Sequence, residues 1–235
     1  MRDDIDFGDL SLAEEITVLA RRRPRDMNAD DRRRFGVCGA VLMEWALSGC
    51  VVLRDGRLAV GEREDVDADA LRIGAETGAG PAAAGLWRRI RAEEVPLKPV
   101  KWIAGHSLAE PVQDRLVERG ILRAERRRVL GLFPATRWVE ADPAPAAAIR
   151  QRVTHGGPVD DRTRALFHLA VACGYRSALL PAADSVSGRE RFARLAESPW
   201  ENRRNGATVR ALADSVEQAV RRATAITALL LTAGG

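Results

Sequence analysis

Arginine is the residue type in this sequence with the strongest potential for binding chemistry. Only two of the 37 basic residues, Lys98 and Lys101, are lysines, and the formal net charge is +4. The arginines concentrate in four segments, residues 21–25, 32–34, 88–91 and 123–128. A guanidinium group pairs with phosphate oxygens through two parallel N–H bonds, so arginines that converge in the fold would bind an anion. The alternative is a solvated surface in a protein from an arginine-rich proteome.

Patterns typical of catalysis are weak. His106, His155 and His168 have no metal-ligand spacing, and we expect His168 to be a core residue. The aspartate pairs at 30–31 and 160–161 do not extend to DDxxD, so we interpret them as helix caps. GxSxG and P-loop motifs are absent. We therefore predict no catalytic residue, no cofactor and no metal, and keep a small-molecule or lipid-modifying enzyme as the alternative function.

Composition indicates a globular, mainly α-helical protein. Of 235 residues, 46% are hydrophobic, 30% are charged and only 5% are aromatic, and few segments have the alternation of a strand. Cys38, Cys50 and Cys173 are odd in number and lack CxxC spacing, which predicts free thiols in a reducing compartment.

Membrane-spanning and secretory segments are not expected. Acidic residues occupy the first positions, where a signal peptide needs a basic lead and an apolar run. The longest apolar stretch, 37–53, is interrupted by Glu44, which we expect to pair with an arginine inside a buried helix. We predict a cytoplasmic protein with one domain over residues 8–233 and a tail over residues 1–7.

Capping signals and apolar periodicity position several helices. Ser11-Leu-Ala-Glu14 has the spacing of a capping box at the start of the first helix. Asp30 or Asp31 is predicted to cap a second helix, about 32–48, which Gly49 ends. Further helices are predicted over about 67–76, 82–94, 111–119 and 162–173, and through 209–230.

Two β-hairpins are predicted between these helices. Asp55-Gly56 lies between apolar runs in residues 50–60, as in a two-residue hairpin turn. A second hairpin is predicted over residues 121–133. Its apolar limb consists of Val129, Leu130, Leu132 and Phe133, next to a basic run of Arg126, Arg127 and Arg128. An exposed apolar limb beside arginines would contact a bilayer or a second copy of the chain.

The order of these landmarks resembles the Golgi phosphoprotein 3 family, particularly its bacterial, actinobacterial members. The segments that carry the resemblance span residues 8–230: Leu-Ser-Leu-Ala-Glu-Glu-Ile in the first helix, Gly39-Ala-Val-Leu-Met-Glu-Trp-Ala-Leu-Ser-Gly49 before the Asp-Gly hairpin, Trp102-Ile103, Arg115-Leu-Val-Glu-Arg-Gly-Ile-Leu122, Val129-Leu-Gly-Leu-Phe-Pro134 and Asp160-Asp-Arg-Thr-Arg-Ala-Leu166. Their ordered co-occurrence is the specific signal. The resemblance implies a compact helical domain with a buried helical core, amphipathic helices around it and small hairpins.

The resemblance also implies a function. Eukaryotic members of the family bind phosphatidylinositol 4-phosphate, attach peripherally to Golgi membranes and retain glycosyltransferases. Self-association and membrane contact are associated with a hydrophobic hairpin, which falls here at 122–133. By resemblance we expect a non-catalytic protein that binds an anionic, phosphoinositide-like lipid, with a protein client and a homo-oligomer as further expected partners.

The family's headgroup pocket aligns with this chain without gaps, but its residue types differ. A tryptophan and three arginines of the pocket fall on Ala29, Cys38, His106 and Ala109. We therefore predict a headgroup site from the nearest basic residues, namely Arg32, Arg33, Arg34, His106 and Arg115. The predicted hairpin contact consists of Arg126 to Arg128, Val129, Leu130, Leu132 and Phe133.

A third function is suggested by the basic ribbon that follows the helix at 111–119. A helix followed by a two-stranded wing is typical of winged helix-turn-helix proteins, whose wing lies along DNA phosphates. The arginines are scattered rather than aligned on one helix, so nucleic acid is the less expected partner.

Overall fold

The computed structural model describes residues 10–20, 28–92, 98–129, 133–154, 159–180 and 185–233. For residues 126–129, 133–137 and 230–233 only the backbone is described. Eleven helices and two antiparallel hairpins lie in these ranges, so the predicted mainly α fold is confirmed. In chain order the elements are α1 (Leu12–Ala20), α2 (Ala29–Leu47), β1 (Val51–Arg54), β2 (Arg57–Val60), α3 (Val66–Glu76), α4 (Gly80–Arg91), α5 (Pro99–Gly105), α6 (Ala109–Glu118), β3 (Leu122–Val129), β4 (Phe133–Glu140), α7 (Ala144–Thr154), α8 (Asp161–Ala172), α9 (Arg176–Leu179), α10 (Val186–Glu197) and α11 (Arg203–Ala233).

Helix α2 is the centre of the core, and α11 packs along it in the opposite direction. Asn205 Nδ2 donates to Leu47 O at 2.9 Å at one end of the pair, and Thr227 Oγ1 donates to Asn28 Oδ1 at 2.8 Å at the other. Midway, a Cβ added to Gly39 would lie 2.4 Å from Val216 Cγ2. Glycine at this position is therefore what allows the two helices to approach closely.

The predicted helix ends are confirmed in part. Ser11 Oγ accepts from the Glu14 N–H at 3.1 Å and the Glu14 carboxylate accepts from the Ser11 N–H at 2.9 Å, which is the predicted capping box. Gly49 has φ +75° after α2, as predicted for the residue that ends it. The predicted cap at Asp30 or Asp31 is wrong, because α2 begins three residues earlier than expected and both aspartates lie in its first turn.

The first hairpin matches its prediction and the second is larger than predicted. Asp55 and Gly56 have φ of 52° and 71°, as the two central residues of a type I′ turn require. The second hairpin pairs Leu122 with Glu140 and Val129 with Phe133. The expected apolar limb is therefore wrong, since Val129 ends β3 and Phe133 begins β4. Leu130 and Leu132 lie outside the described residues.

Helix α7 was not predicted. Asp142 Oδ1 accepts from the Ala144 N–H at 2.8 Å, and the helix begins there. An aspartate that caps the first turn with a proline close behind is a helix start signal, and its alanine-rich continuation hid the amphipathic pattern.

Candidate functional site

Two glutamates on α1 form a buried acidic centre that gathers arginines from three other helices. Glu14 is fully buried and contacts Arg115 Nε of α6 at 3.4 Å and Nη1 of Arg119, the residue that follows α6, at 2.9 Å. Glu15 is also buried and lies 2.7 Å from Arg152 Nη2 of α7. Burial raises the pKa of Glu15, and the neighbouring Arg152 opposes that rise.

Glu44, the acid predicted to pair inside an apolar helix, extends this network to α8. Arg162 Nη1 donates to Glu44 Oε1 at 3.0 Å, and Glu44 Oε1 also accepts from the Leu12 N–H at 2.7 Å. The predicted pairing with an arginine is thus confirmed. Arg162 also donates to Leu10 O at 2.6 Å, so one guanidinium joins the chain before α1 to α2 and α8.

A cleft of about 570 Å³ opens beside this network. It is lined by Leu10, Ser11, Glu44, Ile73, Glu76, Thr77, Arg115 and Arg162. Arg115 and Arg162 are both in ion pairs with buried glutamates, so the principal charges of the cleft already have partners. This arrangement is typical of a structural network of ion pairs.

The predicted headgroup residues are not all brought together. Arg115 lies in the cleft, where it also donates to Ala75 O at 3.0 Å. Arg32 is not among the residues that line the cleft. It donates to Cys173 O at the end of α8, where the helix dipole favours a cation. Arg34 pairs within α2, with its Nη2 3.3 Å from Asp31 Oδ1.

Arg33 bonds to α6 itself, and His106 lies in the connection between α5 and α6. Arg33 Nη1 donates to Gln113 Oε1 on α6. His106 Nδ1 lies 2.7 Å from Trp102 O and its Nε2 lies 2.8 Å from Arg89 Nη1. Since a guanidinium only donates, His106 Nε2 is the acceptor of the bond from Arg89, and Nδ1–H donates to Trp102 O.

We call this group, Arg33, Arg89, His106 and the start of α6, the arginine junction. Arg33 comes from α2 and Arg89 from the last turn of α4, so two separate helices direct guanidinium groups at the connection and at the first half of α6 that follows it. Sequence reasoning placed Arg89 in an arginine cluster but did not select it as a site residue. The sequence signal that could have selected Arg89 is its position near the end of a predicted helix.

Three of the family's headgroup positions, Cys38, His106 and Ala109, lie together at this junction. Cys38 Sγ contacts His106 O at 3.4 Å, and both Cys38 and Ala109 are buried. Burial raises the pKa of the Cys38 thiol to about 12, so the group stays neutral. The two positions therefore carry no charge, and the cations of the junction come instead from Arg33 and Arg89.

The second hairpin begins at the far end of α6 from the junction. Helix α6 has ten residues and is about 15 Å long, and β3 follows its C-terminal end. Strands of eight residues reach about 26 Å from that base. In the register, Arg126, Arg127 and Arg128 are opposite Thr136, Ala135 and Pro134.

Helix α6 is acidic on its exposed side. Glu110, Asp114 and Glu118 are four residues apart and all exposed, while Val112 and Leu116 are buried. A recognition helix needs cations facing the DNA phosphates, so this row of carboxylates opposes the winged-helix interpretation.

The remaining titratable residues do not form a further site. His168 packs on Trp200 with ring centroids 5.9 Å apart, and burial lowers the pKa of this histidine to about 4. Asp160 caps α8 by accepting from the Thr163 N–H, as predicted. Within the described ranges, no three His, Cys, Asp or Glu side chains are grouped as a metal ion would require.

Comparison with known proteins agrees with the architecture. The family model of Golgi phosphoprotein 3 (GPP34) matches residues 12–227, which is nearly the whole chain. A search of curated proteins found no match. In the part of the chain that the structure describes, none of the helices combines the length and the hydropathy needed to cross a bilayer. The family match, the helical core and the two hairpins lead to one conclusion: this chain belongs to the Golgi phosphoprotein 3 (GPP34) family.

Proposed function

We propose that this protein attaches peripherally to anionic membranes by binding lipid phosphates at the arginine junction. The observation that carries the proposal is that Arg33 and Arg89, from two different helices, bond to the N-terminal half of α6 and to the connection that precedes it.

The acidic partner of Arg33 can be exchanged for a phosphate. Asp30, which lies 3.1 Å from Arg33, has a side chain that is 94% exposed. Asp30 can therefore turn to water when a phosphate binds Arg33, whose own side chain is 17% exposed.

Lysines and further arginines extend the basic surface around the junction. Arg88, Lys98 and Lys101 are all exposed, in the last turn of α4 and around α5. Each basic side chain near an anionic bilayer contributes about 1 kcal/mol to binding. The acidic row on α6 marks where this surface ends.

The second hairpin is proposed as an additional contact. Arg126 to Arg128 on β3 precede the apolar residues of the hairpin end, which is the order of a basic rim around an inserting segment. Reversal of these three charges is expected to abolish co-sedimentation with anionic vesicles, and unchanged binding would remove the hairpin from the proposal. The same hairpin could join two copies of the chain, and membrane attachment would let the protein hold a client protein at the surface.

The test is co-sedimentation with phosphatidylglycerol-rich vesicles. The double variant Arg33→Gln/Arg89→Gln removes two charges from the junction. Its matched control, Arg189→Gln/Arg194→Gln, removes two charges from exposed positions on α10. At about 1 kcal/mol for each charge, the junction variant should bind about 30-fold more weakly than wild type.

The control separates a site from a general charge effect. We expect it to bind within about twofold of wild type, since α10 packs against α8 and is not part of the junction. Equal weakening of both variants would mean that net charge alone drives binding. Full binding by the junction variant would refute the proposed site.

A further inference from the structure

The C-terminal end of α11 carries exposed apolar side chains that the protein core does not use. Upstream, Val209, Leu212, Val216 and Val220 form a buried stripe against the rest of the fold. In the last turns the pattern changes, and Ile226 and Leu229 are 59% and 68% exposed. The other large exposed hydrophobic residues of the described chain, Leu71, Val171 and Val186, lie singly on three other helices.

The change has a geometric cause. Thr227 bonds to Asn28, the residue before α2, so the partner helix of α11 begins at this level. Helix α11 continues from Thr227 to Ala233, which is about 9 Å farther along its axis. Its last turns therefore extend past the start of α2.

The charged residues of α11 end at Arg222. Arg222 is exposed, and no charged residue follows it in residues 223–235. At helical spacing, Arg222, Ile226 and Leu229 lie on one face, since they are separated by four and then three positions. A cation one turn before exposed apolar side chains is the arrangement of a helix that enters a membrane interface with its basic side chain among the headgroups.

This end of α11 also lies beside the start of α2. The bond between Thr227 and Asn28 sets it beside the first turns of α2, which carry Arg32, Arg33 and Arg34. Helix α5, with exposed Lys101, packs against α11 as well. An apolar face bordered by cations complements an anionic bilayer, whose phosphates lie above its acyl chains.

We propose that the last two turns of α11, residues 225–233, insert into the headgroup–acyl boundary of an anionic membrane. This inference rests on the proposed function and adds a contact to it that is distinct from the arginine junction and from the second hairpin. The apolar end supplies penetration, while Arg222 stays at the level of the phosphates.

The native cysteines make a direct test feasible. Cys38, Cys50 and Cys173 are buried, so a thiol-reactive dye will label an introduced surface cysteine preferentially. In the Leu229→Cys variant, the introduced cysteine is labelled with an environment-sensitive NBD dye, which then lies on the proposed face. Val186→Cys, at a position that is 65% exposed on α10, is the matched control. Each labelled protein is mixed with phosphatidylglycerol-rich vesicles, and its emission spectrum and its flotation are measured on the same sample.

We expect the emission from position 229 to shift to the blue and intensify on vesicle binding, and the emission from position 186 to stay unchanged. Flotation without any shift at 229 would overturn the α11 inference and leave the proposed function standing. Failure of the wild-type protein to float would overturn both. A shift at 229 that appears without vesicles and grows with protein concentration would mean that a second copy covers this face, which also overturns the inference.

A second variant measures how much the insertion contributes. Ile226→Asp/Leu229→Asp puts two carboxylates on the face and should weaken vesicle binding at least tenfold, because it removes the apolar contact and adds repulsion. Val186→Asp is the control and should bind as wild type does. Both positions are exposed, so the folded state should tolerate the changes, and the circular dichroism spectrum verifies this.

Discussion

The buried carboxylate of Glu14 makes a sharp prediction about stability. It accepts from the Ser11 N–H and from Arg119, and Arg115 lies 3.4 Å away, so three donors converge on one side chain. The change Glu14→Gln keeps the shape and removes the charge. One of the two terminal atoms becomes an NH₂ group that faces a donor, so at least one charge-assisted hydrogen bond is lost.

The expected size follows from burial and partner exposure. Breaking a buried ion pair costs about 3–5 kcal/mol, but Arg115 and Arg119 are 39% and 22% exposed and water can solvate part of their charge. We therefore expect Glu14→Gln to lower the free energy of unfolding by about 3 kcal/mol. For a chain of this size that corresponds to a fall of roughly 6–12 °C in Tm.

Chemical denaturation followed by circular dichroism measures this loss. The control is Arg221→Gln, which removes an exposed pair with Glu217 on α11 and should change the free energy of unfolding by less than about 0.5 kcal/mol. A loss below about 1 kcal/mol for Glu14→Gln would mean that desolvation of the carboxylate already cancels its interactions, and would refute the reasoning.

Three further predictions concern α2 and α8. The folded-state pKa of His168 is about 4, below its ordinary 6.5, so the unfolded chain takes up the proton first as pH falls and the folded state loses stability. His168→Phe should remove this loss, about 2 kcal/mol in the free energy of unfolding between pH 6.5 and 4. An unchanged pH profile of stability would contradict this. Gly39→Ala should cost about 1–3 kcal/mol through contact with Val216, and the added change Val216→Ala should recover part of that loss in denaturant titrations. Asp160→Ala should cost about 1 kcal/mol by leaving the Thr163 N–H without its cap, while Asp160→Asn should retain most of the stability.

Local chemistry made part of the fold predictable. The capping box at Ser11 and Glu14, the Asp55-Gly56 turn and the glycine after α2 each depend on a few neighbouring residues, and each is confirmed. The longest helix, α11, was predicted from the periodicity of its buried stripe. The start of α2 was misplaced because Asn28 precedes two aspartates, and all three residues are of types that favour the position before a helix.

The candidate site was less predictable because it depends on contacts between distant segments. Arg33 bonds to Gln113, which is 80 positions away in the chain, and Arg115 pairs with Glu14, which is 101 positions away. Both are arginines with similar sequence surroundings, so their neighbours in the chain do not distinguish a junction residue from a cleft residue. Arg89 was overlooked for the same reason. The pairing of Glu44 was predictable, since a carboxylate in an apolar helix requires a cation.

The most direct test of membrane attachment is flotation of the wild-type protein with neutral, phosphatidylglycerol-rich and phosphoinositide-doped vesicles at low and high salt. A basic surface that binds lipid phosphates should recover the protein with both kinds of anionic vesicle, leave it unbound with neutral ones, and lose affinity as salt screens the charges. Absence of the protein from every floated fraction at low salt would contradict the central claim.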